Sequence, residues 1–388
     1  MLIGHTFGAD LAGLVGLPNV YLLGEQPYEI LPDYLAAFDV ACIPFRLSDL
    51  TRATNPVKFY EYLCAGKPIV SVRLPELAEH AEYVYFADGP DEFVDAIARG
   101  LAEGDDRQAG RRIDVARANT WEMRCADLGR AIEAVHPRAS IIIVSYNTLS
   151  HTRRCLESVL ERTGYPHYEV IVVDNGSTDG SALMVAEAAW RCPRVRVITN
   201  SANAGFVAAT NQAIAASTGE CVVFLNSDTV VTTGWLAGLL RHLEDRQIGL
   251  VGPVTNAIAN EARIHVPYGG NLDAMQEFAW SYVQAHRGQR FDIPVLAMFC
   301  LAMRREIINK VGLLDDRFEV GMFEDDDYSL RVREAGFRVV CARDVFVHHH
   351  GRASFNVLGE EEYHRIFQKN RASFETKWQR PWEPHVHA

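Results

Sequence analysis

One stretch constrains this chain more than any other: CVVFLNSDTVV, residues 221–231. Apolar β-formers from Cys221 to Leu225 stop at Asn226-Ser227-Asp228, and the apolar pattern then resumes. Such a run reads as a strand buried on both faces, the kind that fills the interior of a parallel sheet. Ligands of open α/β sheets bind where these strands end. A carboxylate placed there can hold a hard divalent cation, which in turn can hold a diphosphate. The competing reading is a surface turn, since Asn, Ser and Asp all favour turns. The segments around it weigh against that reading.

From Ser140 onward the same grammar repeats: strand, polar strand end, helix. SIIIVSYN runs into Asn147, YEVIVVD ends at Asp174 and opens into NGSTDGS, and Val195–Thr199 leads into NSANAGFVAATNQAI. Each strand end brings polar groups to one edge. There Asp174 can accept hydrogen bonds from a nucleobase or a ribose, Gly205 lets backbone approach a ligand, and Asn203 and Asn211 are polar contacts. Taken singly, each of these residues is more simply a turn or a cap; their order is what points to a site. Beyond Gly252 the pattern loosens. Residues 260–290 read as a lid or acceptor-side insertion, and Pro294 to Glu306 as an apolar strand pair.

The first part of the chain also alternates strands and helices: strands at Asn19–Gly24, Val40–Pro44 and Ile69–Val72, helices at Ile30–Phe38 and Pro56–Ala65, and a closing helix at Trp121–Val135. This alternation indicates a second parallel α/β layer structure. His136-Pro137-Arg138-Ala139 is a polar break, dividing the chain into domains 1–135 and 136–388.

Composition excludes some classes. With 38 Lys and Arg against 50 Asp and Glu, the net charge of −12 argues against nucleic acid as a partner, which needs clustered cations. Eight scattered cysteines without a C-x-x-C pair read as free thiols. The absence of a long apolar run or a leader pattern leads to the expectation of a cytoplasmic protein.

Two further clusters carry chemistry. Glu324-Asp325-Asp326-Asp327 opens a helix; charge complementing the helix dipole is the simple reading, but four consecutive acids repel one another and suit a nearby cation or substrate proton. His348-His349-His350 lies on a strand, where neighbours point to opposite faces, so the three do not converge on one ion.

These pieces, SIIIVSYN, EVIVVDNGSTDGS, NAGFVAATNQAI, VVFLNSDT, FEDDDYSLRVREAGFRVV and VHHHG, resemble the family 2 glycosyltransferases of GT-A fold over residues 140 to at least 354. The resemblance implies a mixed, mainly parallel α/β sheet and an inverting, metal-dependent transfer from a nucleoside-diphosphate sugar to a saccharide or lipid-linked acceptor. Donor contacts would come from Ser145, Asn147, Asp174, Asn203, Gly205, Asn211, Asn226 and Asp228. Mg2+ or Mn2+ would sit on Asp228 and His348. Asp325 is the implied base, with Glu324 the alternative. N-S-D in place of D-x-D is similar to the rhamnosyl-transferring branch, implying a dTDP-rhamnose-like or UDP-sugar donor in bacterial cell-surface polysaccharide biosynthesis.

NPVKFYEYLCAGKPIVS, in turn, resembles the donor-binding segment of the C-terminal, Rossmann-like half of GT-B glycosyltransferases, with Glu61 at the ribose and Lys58 facing phosphates. Ala53 departs from that pattern, and no partner half completes a GT-B cleft, so a structural or binding role is expected for the first domain. The aromatic and basic tail (Phe374, Lys377, Trp378, Arg380, Trp382) either docks on the catalytic domain or touches the inner face of a membrane carrying the acceptor. Two rivals remain: a non-catalytic nucleotide- or glycan-binding protein, and a nucleotidyltransferase. The latter calls for a Gly-rich basic loop that Ile141–Asn147 lacks. Oligomeric state is not legible.

Overall fold

A computed structural model describes residues 1–384 apart from 7, 9, 105, 319–320 and 352–358. The chain divides into two compact units, Met1–Arg130 and Ala131–Ala388.

In the first unit a three-stranded parallel sheet has the order β1 (Ala41–Ile43), β2 (Ile69–Ser71), β3 (Val84–Phe86). Helices α1 (Leu31–Ala36), α2 (Asp49–Arg52), α3 (Val57–Cys64), α4 (Pro90–Leu101) and α5 (Asp106–Arg117) accompany it, and α6 (Trp121–Val135) spans the division. Phe59, Leu63, Ile43 and Ile69 form its main core. The expected strand at Asn19–Gly24 is absent. Leu22 makes only a single bridge to Leu2, with Tyr21 and Leu22 exposed, so no ladder or core holds that segment extended.

The second unit is built on a nine-stranded mixed sheet. Its strands are β4 (Ala139–Ser145), β5 (Tyr168–Asp174), β6 (Val195–Thr199), β7 (Cys221–Leu225), β8 (Thr229–Val231), β9 (Ile248–Val254), β10 (Arg290–Asp292), β11 (Cys300–Arg304) and β12 (Arg338–His349). The order is β10-β12-β9-β11-β7-β4-β5-β6, with β8 paired to β12. Strands β4, β5, β6, β7, β9 and β12 run one way, so the sheet is mainly parallel as expected. Helices α7 (Leu149–Arg162), α8 (Ser181–Arg191), α9 (Phe206–Ala216), α10 (Trp235–His242), α11 (Leu272–Ala285), α12 (Arg305–Val311), α13 (Glu324–Glu334) and α14 (Glu360–Trp378) cover it. Every residue of β5 and β7 is buried, because the period-2 alternation feeds two cores at once. Ile171 and Val173 enter one cluster, Val170 and Val172 the other.

Residues 260–290 contain α11, a 14-residue helix that buries Met275 and Ala279 and is capped by Asn271. One expectation is corrected just beyond it. Only β11 forms between Pro294 and Arg304, because it pairs with β7 on one side and β9 on the other rather than with its own neighbour. Strand β12 runs unbroken into the histidines, bent at a register shift between Ala342 and Phe346. All cysteines are free; Cys155, Cys221, Cys300 and Cys341 are buried, whereas Cys64 and Cys125 are exposed. Among the described residues no helix is long and apolar enough to cross a membrane. The tail docks on its own unit, with Phe374 buried in the core. Ser354 and Phe355 lie outside the described residues.

Candidate functional site

Parallel strands deliver their ends to one edge of the sheet, and the polar groups gather there. Asp174, the last residue of β5, is 1% exposed. Its Oδ2 accepts from Ser177 N at 3.1 Å, while Oδ1 is buried with no hydrogen-bond partner among the described residues. An orphaned buried acceptor carries a desolvation cost and fits a site completed by a ligand donor.

The loops around it are fixed by side chains. Asn147, at φ 51, accepts from Thr178 N at 2.8 Å, and its own N–H donates to Ser177 Oγ. Asn175, which sequence reasoning passed over, is a hub. Its Nδ2 donates to Asn203 Oδ1 (2.8 Å) and Gly205 O (3.2 Å), while its Oδ1 accepts from Asn200 Nδ2 and Ala204 N. Next to it Gly176 sits at φ 80, where a Cβ would meet the Ala202 backbone at 2.7 Å; only glycine permits that crossing. The signal was present in the sequence as an Asn-Gly pair directly after the strand-end aspartate.

Other expected donor residues face inward or hold the fold. Ser145 is fully buried and shares hydrogen bonds with Thr148 and Thr152. Asn211 is tied to the 314–316 segment: Oδ1 accepts from Leu314 N, and Nδ2 donates to Leu314 O and Asp316 Oδ1. Gly205, at φ 85, precedes the first turn of α9. Asn226 is half-buried, its carbonyl accepting from Thr229 Oγ1.

Asp228 lies just before β8, whose pairing with β12 puts Thr229 opposite His349 and Val230 opposite His348. Sequence reasoning selected His348; the imidazole beside the Asp228 carboxylate is His349, with Nε2 3.2 Å from Oδ1. His348 instead shares a hydrogen bond with Tyr268 Oη at 2.8 Å and contacts the His350 ring, 4.7 Å away on the same face. Burial, then the neighbouring His350 and His349, push His348 down to about 4, so its ring is neutral near pH 7. Nδ1 of His349 lies 2.9 Å from Ala257 O, and a carbonyl only accepts, so Nδ1 carries the proton. Nε2 then faces the Asp228 carboxylate at 3.2 Å, a separation that a shared proton or a cation held between the two can fill, and an imidazole whose other N–H is held by a carbonyl is the usual form of a metal ligand. Among the described residues no three His, Cys, Asp or Glu side chains converge on one ion. Asp228 and His349 therefore fit a cation that a bound diphosphate helps to hold. His350 Nε2 and His151 Nδ1, on rings 5.0 Å apart, are also buried without partners among the described residues.

Asn256 braces this region, exchanging hydrogen bonds with both main-chain groups of His349. A cavity of about 460 Å3 adjoins it, lined by Asn256, Asn260, Glu261, Arg263 and His265.

The acidic cluster opens α13. Residues 335–337 turn the chain back into β12, directing the start of α13 toward the edge where the parallel strands end. The four acids differ sharply. Asp327 is fully buried and bonded by Arg331, Lys377 and Trp378. Asp326 Oδ1 accepts from Trp382 Nε1 at 3.0 Å. Asp325 is half-buried, with Oδ1 accepting from Asp326 N. Glu324 is buried with Oε2 unpartnered among the described residues; burial, then the charges of Asp325 and Asp326, hold its carboxyl well above the usual range.

In the first unit, Glu61 on α3 accepts a hydrogen bond from Tyr28 Oη at 3.1 Å.

This sheet and edge define a GT-A-type α/β nucleotide-sugar transferase fold. Residues 140–312 match the family model described as Glycosyl transferase family 2, and residues 2–103 that described as Glycosyl transferases group 1. The chain thus carries a glycosyl transferase family 2 domain preceded by a GT-B-like region. It is 30% identical over 252 residues to an uncharacterized protein of Sinorhizobium fredii, covering 62% of this chain and 28% of the relative. It is 28% identical to the O-antigen biosynthesis protein RfbC of Myxococcus xanthus, covering 64% of this chain and 20% of that protein. The glycosyltransferase AglE of Haloferax volcanii is 26% identical, over 58% of this chain and 71% of AglE. The chain spans less than a third of the first two relatives.

Proposed function

We propose that residues 136–388 form an inverting, metal-dependent glycosyltransferase domain that takes a sugar from a nucleoside diphosphate to a saccharide or lipid-linked acceptor in cell-surface polysaccharide biosynthesis. The observation that carries this reading is the shared sheet edge, where Asp174 keeps an oxygen unpartnered among the described residues and the Asp228 carboxylate lies 3.2 Å from His349 Nε2. The O-antigen name of one relative supports the polysaccharide setting. N-S-D at residues 226–228 favours a dTDP-rhamnose-like or UDP-sugar donor.

Asp174 Oδ1 accepts from the nucleobase, and the Asn147, Asn203 and Gly205 loops wall the donor. Asp228 and His349, with His348 beside them, would hold Mg2+ or Mn2+, which when bound offsets charge gathering on the diphosphate. The acceptor hydroxyl gives its proton to a carboxylate of the acidic turn, Asp325 with Glu324 as the alternative. Its oxygen bonds to the anomeric carbon as the bond from that carbon to the diphosphate breaks, the electron pair leaving on the phosphate. The polar cavity beside Asn256 suits the acceptor side. The first unit serves a structural or nucleotide-binding role.

A screen of nucleotide sugars, reading released nucleoside diphosphate with Mn2+, Mg2+ or EDTA, tests this. Turnover should require the cation and disappear in Asp228→Ala; cation-independent turnover, or none with any donor in the presence of acceptor glycans, overturns it.

A further inference from the structure

The turn before the acidic helix is strained, and a distant helix holds it. Met322 and Phe323 adopt φ 75 and 72, a left-handed conformation that is unfavourable for a bulky residue and persists only where surroundings over-determine it. Phe323 is also the N-cap of α13 and makes no side-chain cap bond. Strain of this kind directly precedes Glu324 and Asp325.

What over-determines the turn comes from α14 and the residues after it. Asn370, 2% exposed, donates from Nδ2 to Gly321 O at 2.8 Å and Met322 O at 3.2 Å, anchoring both carbonyls before the strained step. The Phe323 ring is caged by Phe367 (5.2 Å), Phe374 (5.8 Å) and Trp382 (5.2 Å). Trp378 Nε1 donates to Asp327 Oδ1 and Trp382 Nε1 to Asp326 Oδ1, both at 3.0 Å. Each indole thus draws one acid of the cluster toward the tail. The other two acids, Glu324 and Asp325, directly follow the strained turn, and it is Glu324 that keeps a buried oxygen unpartnered among the described residues.

We propose that Asn370, Trp378 and Trp382 are positioning residues, a clamp from the C-terminal helix that sorts the four acids into two that hold the fold and two that face the reaction. This rests on the glycosyltransferase reading above. The clamp acts through the strained turn: releasing it lets Met322–Phe323 relax and moves the Asp325 and Glu324 carboxylates, without touching Asp174, Asp228 or His349. A shift of about 1 Å at a reacting group costs up to roughly 10²-fold in rate.

The test uses the full chain. Trp382→Phe and Trp378→Phe keep a smaller aromatic ring and remove the N–H donor; Asn370→Leu removes both donors to the turn. Turnover is read with whichever donor the screen identifies, and binding with UDP or dTDP plus Mn2+ by calorimetry. The expected result for Trp382→Phe and Asn370→Leu is a fall in kcat of about ten- to a hundred-fold, with donor KM and nucleotide affinity within about twofold of wild type. Trp378→Phe should be milder, because Arg331 and Lys377 still hold Asp327. Folded variants that keep kcat within about twofold overturn the inference, as do parallel losses of kcat and nucleotide affinity, which would mark α14 as packing alone. Should Asn370→Leu fail to fold, Trp382→Phe decides. Asp325→Asn and Glu324→Gln separate the two levels: if both retain turnover, the reading of the acidic turn fails, whereas if either loses it and Trp382→Phe does not, only the clamp fails.

Discussion

Strand β5 carries a buried carboxylate at each end, and the two are treated in opposite ways. Glu169, 2% exposed, is surrounded by donors. Oε1 accepts from Ser140 Oγ, Thr218 N and Thr218 Oγ1, and Oε2 from Arg196 and Arg138. Burial alone would raise its pKa, but these hydrogen bonds bring it down to about 2. Asp174, 1% exposed and five residues later, has one bonded oxygen and one orphan. Equal burial with unequal satisfaction separates a carboxylate that holds the sheet together from one left with an open acceptor, the one we propose a ligand completes. On that proposal stability and function occupy opposite edges of the same sheet.

The largest effect should come from the functional edge. Asp325→Asn keeps size but cannot take the acceptor's proton, so transfer should fall about 10²–10⁴-fold with nucleotide affinity little changed. Glu324→Gln, measured in parallel, decides which of the two is the base. If both variants transfer normally, the acids are only a charged helix start and the contrast between edges collapses.

At the other edge, Glu169→Gln should cost about 2–3 kcal/mol of unfolding free energy at pH 7 without altering kcat. The folded pKa lies below the ordinary 4.5, so this stabilisation is present above about pH 4.5 and is lost as pH falls toward 2. Urea melts of wild type and variant should therefore converge across that window; a constant difference would show that the charge is not the cause.

Asp174→Asn sharpens the contrast from the other side. Removing an incompletely satisfied buried charge should leave the melting temperature unchanged or higher, while nucleotide affinity drops by about 1–3 kcal/mol. A destabilised variant with unchanged affinity would make Asp174 a second Glu169. The smallest effect is expected in the first unit, where Glu61→Ala should leave sugar transfer within about twofold, as expected for a half-buried group bonded to Tyr28. A loss as deep as that of Asp228→Ala would bring that unit into the chemistry.

The amino-acid sequence by itself determined the alternation of strands and helices, the identity of the edge and the residues that end its strands. Strands β5, β6 and β7 and helix α6 run over the residues expected, because each is written in a local period bounded by its own turn signals. Asp174 was legible for the same reason. What needed the tertiary structure was every choice between chemically equal neighbours. Three histidines in a row look alike until β8 pairs with β12: His349 Nε2 then comes within 3.2 Å of Asp228 Oδ1, while His348 bonds Tyr268. Four acids in a row look alike until indoles 51 and 56 residues away bond Asp327 and Asp326. Such contacts join segments whose separation leaves no mark on local periodicity, so the sequence narrows the candidates to a cluster and the packing selects among them.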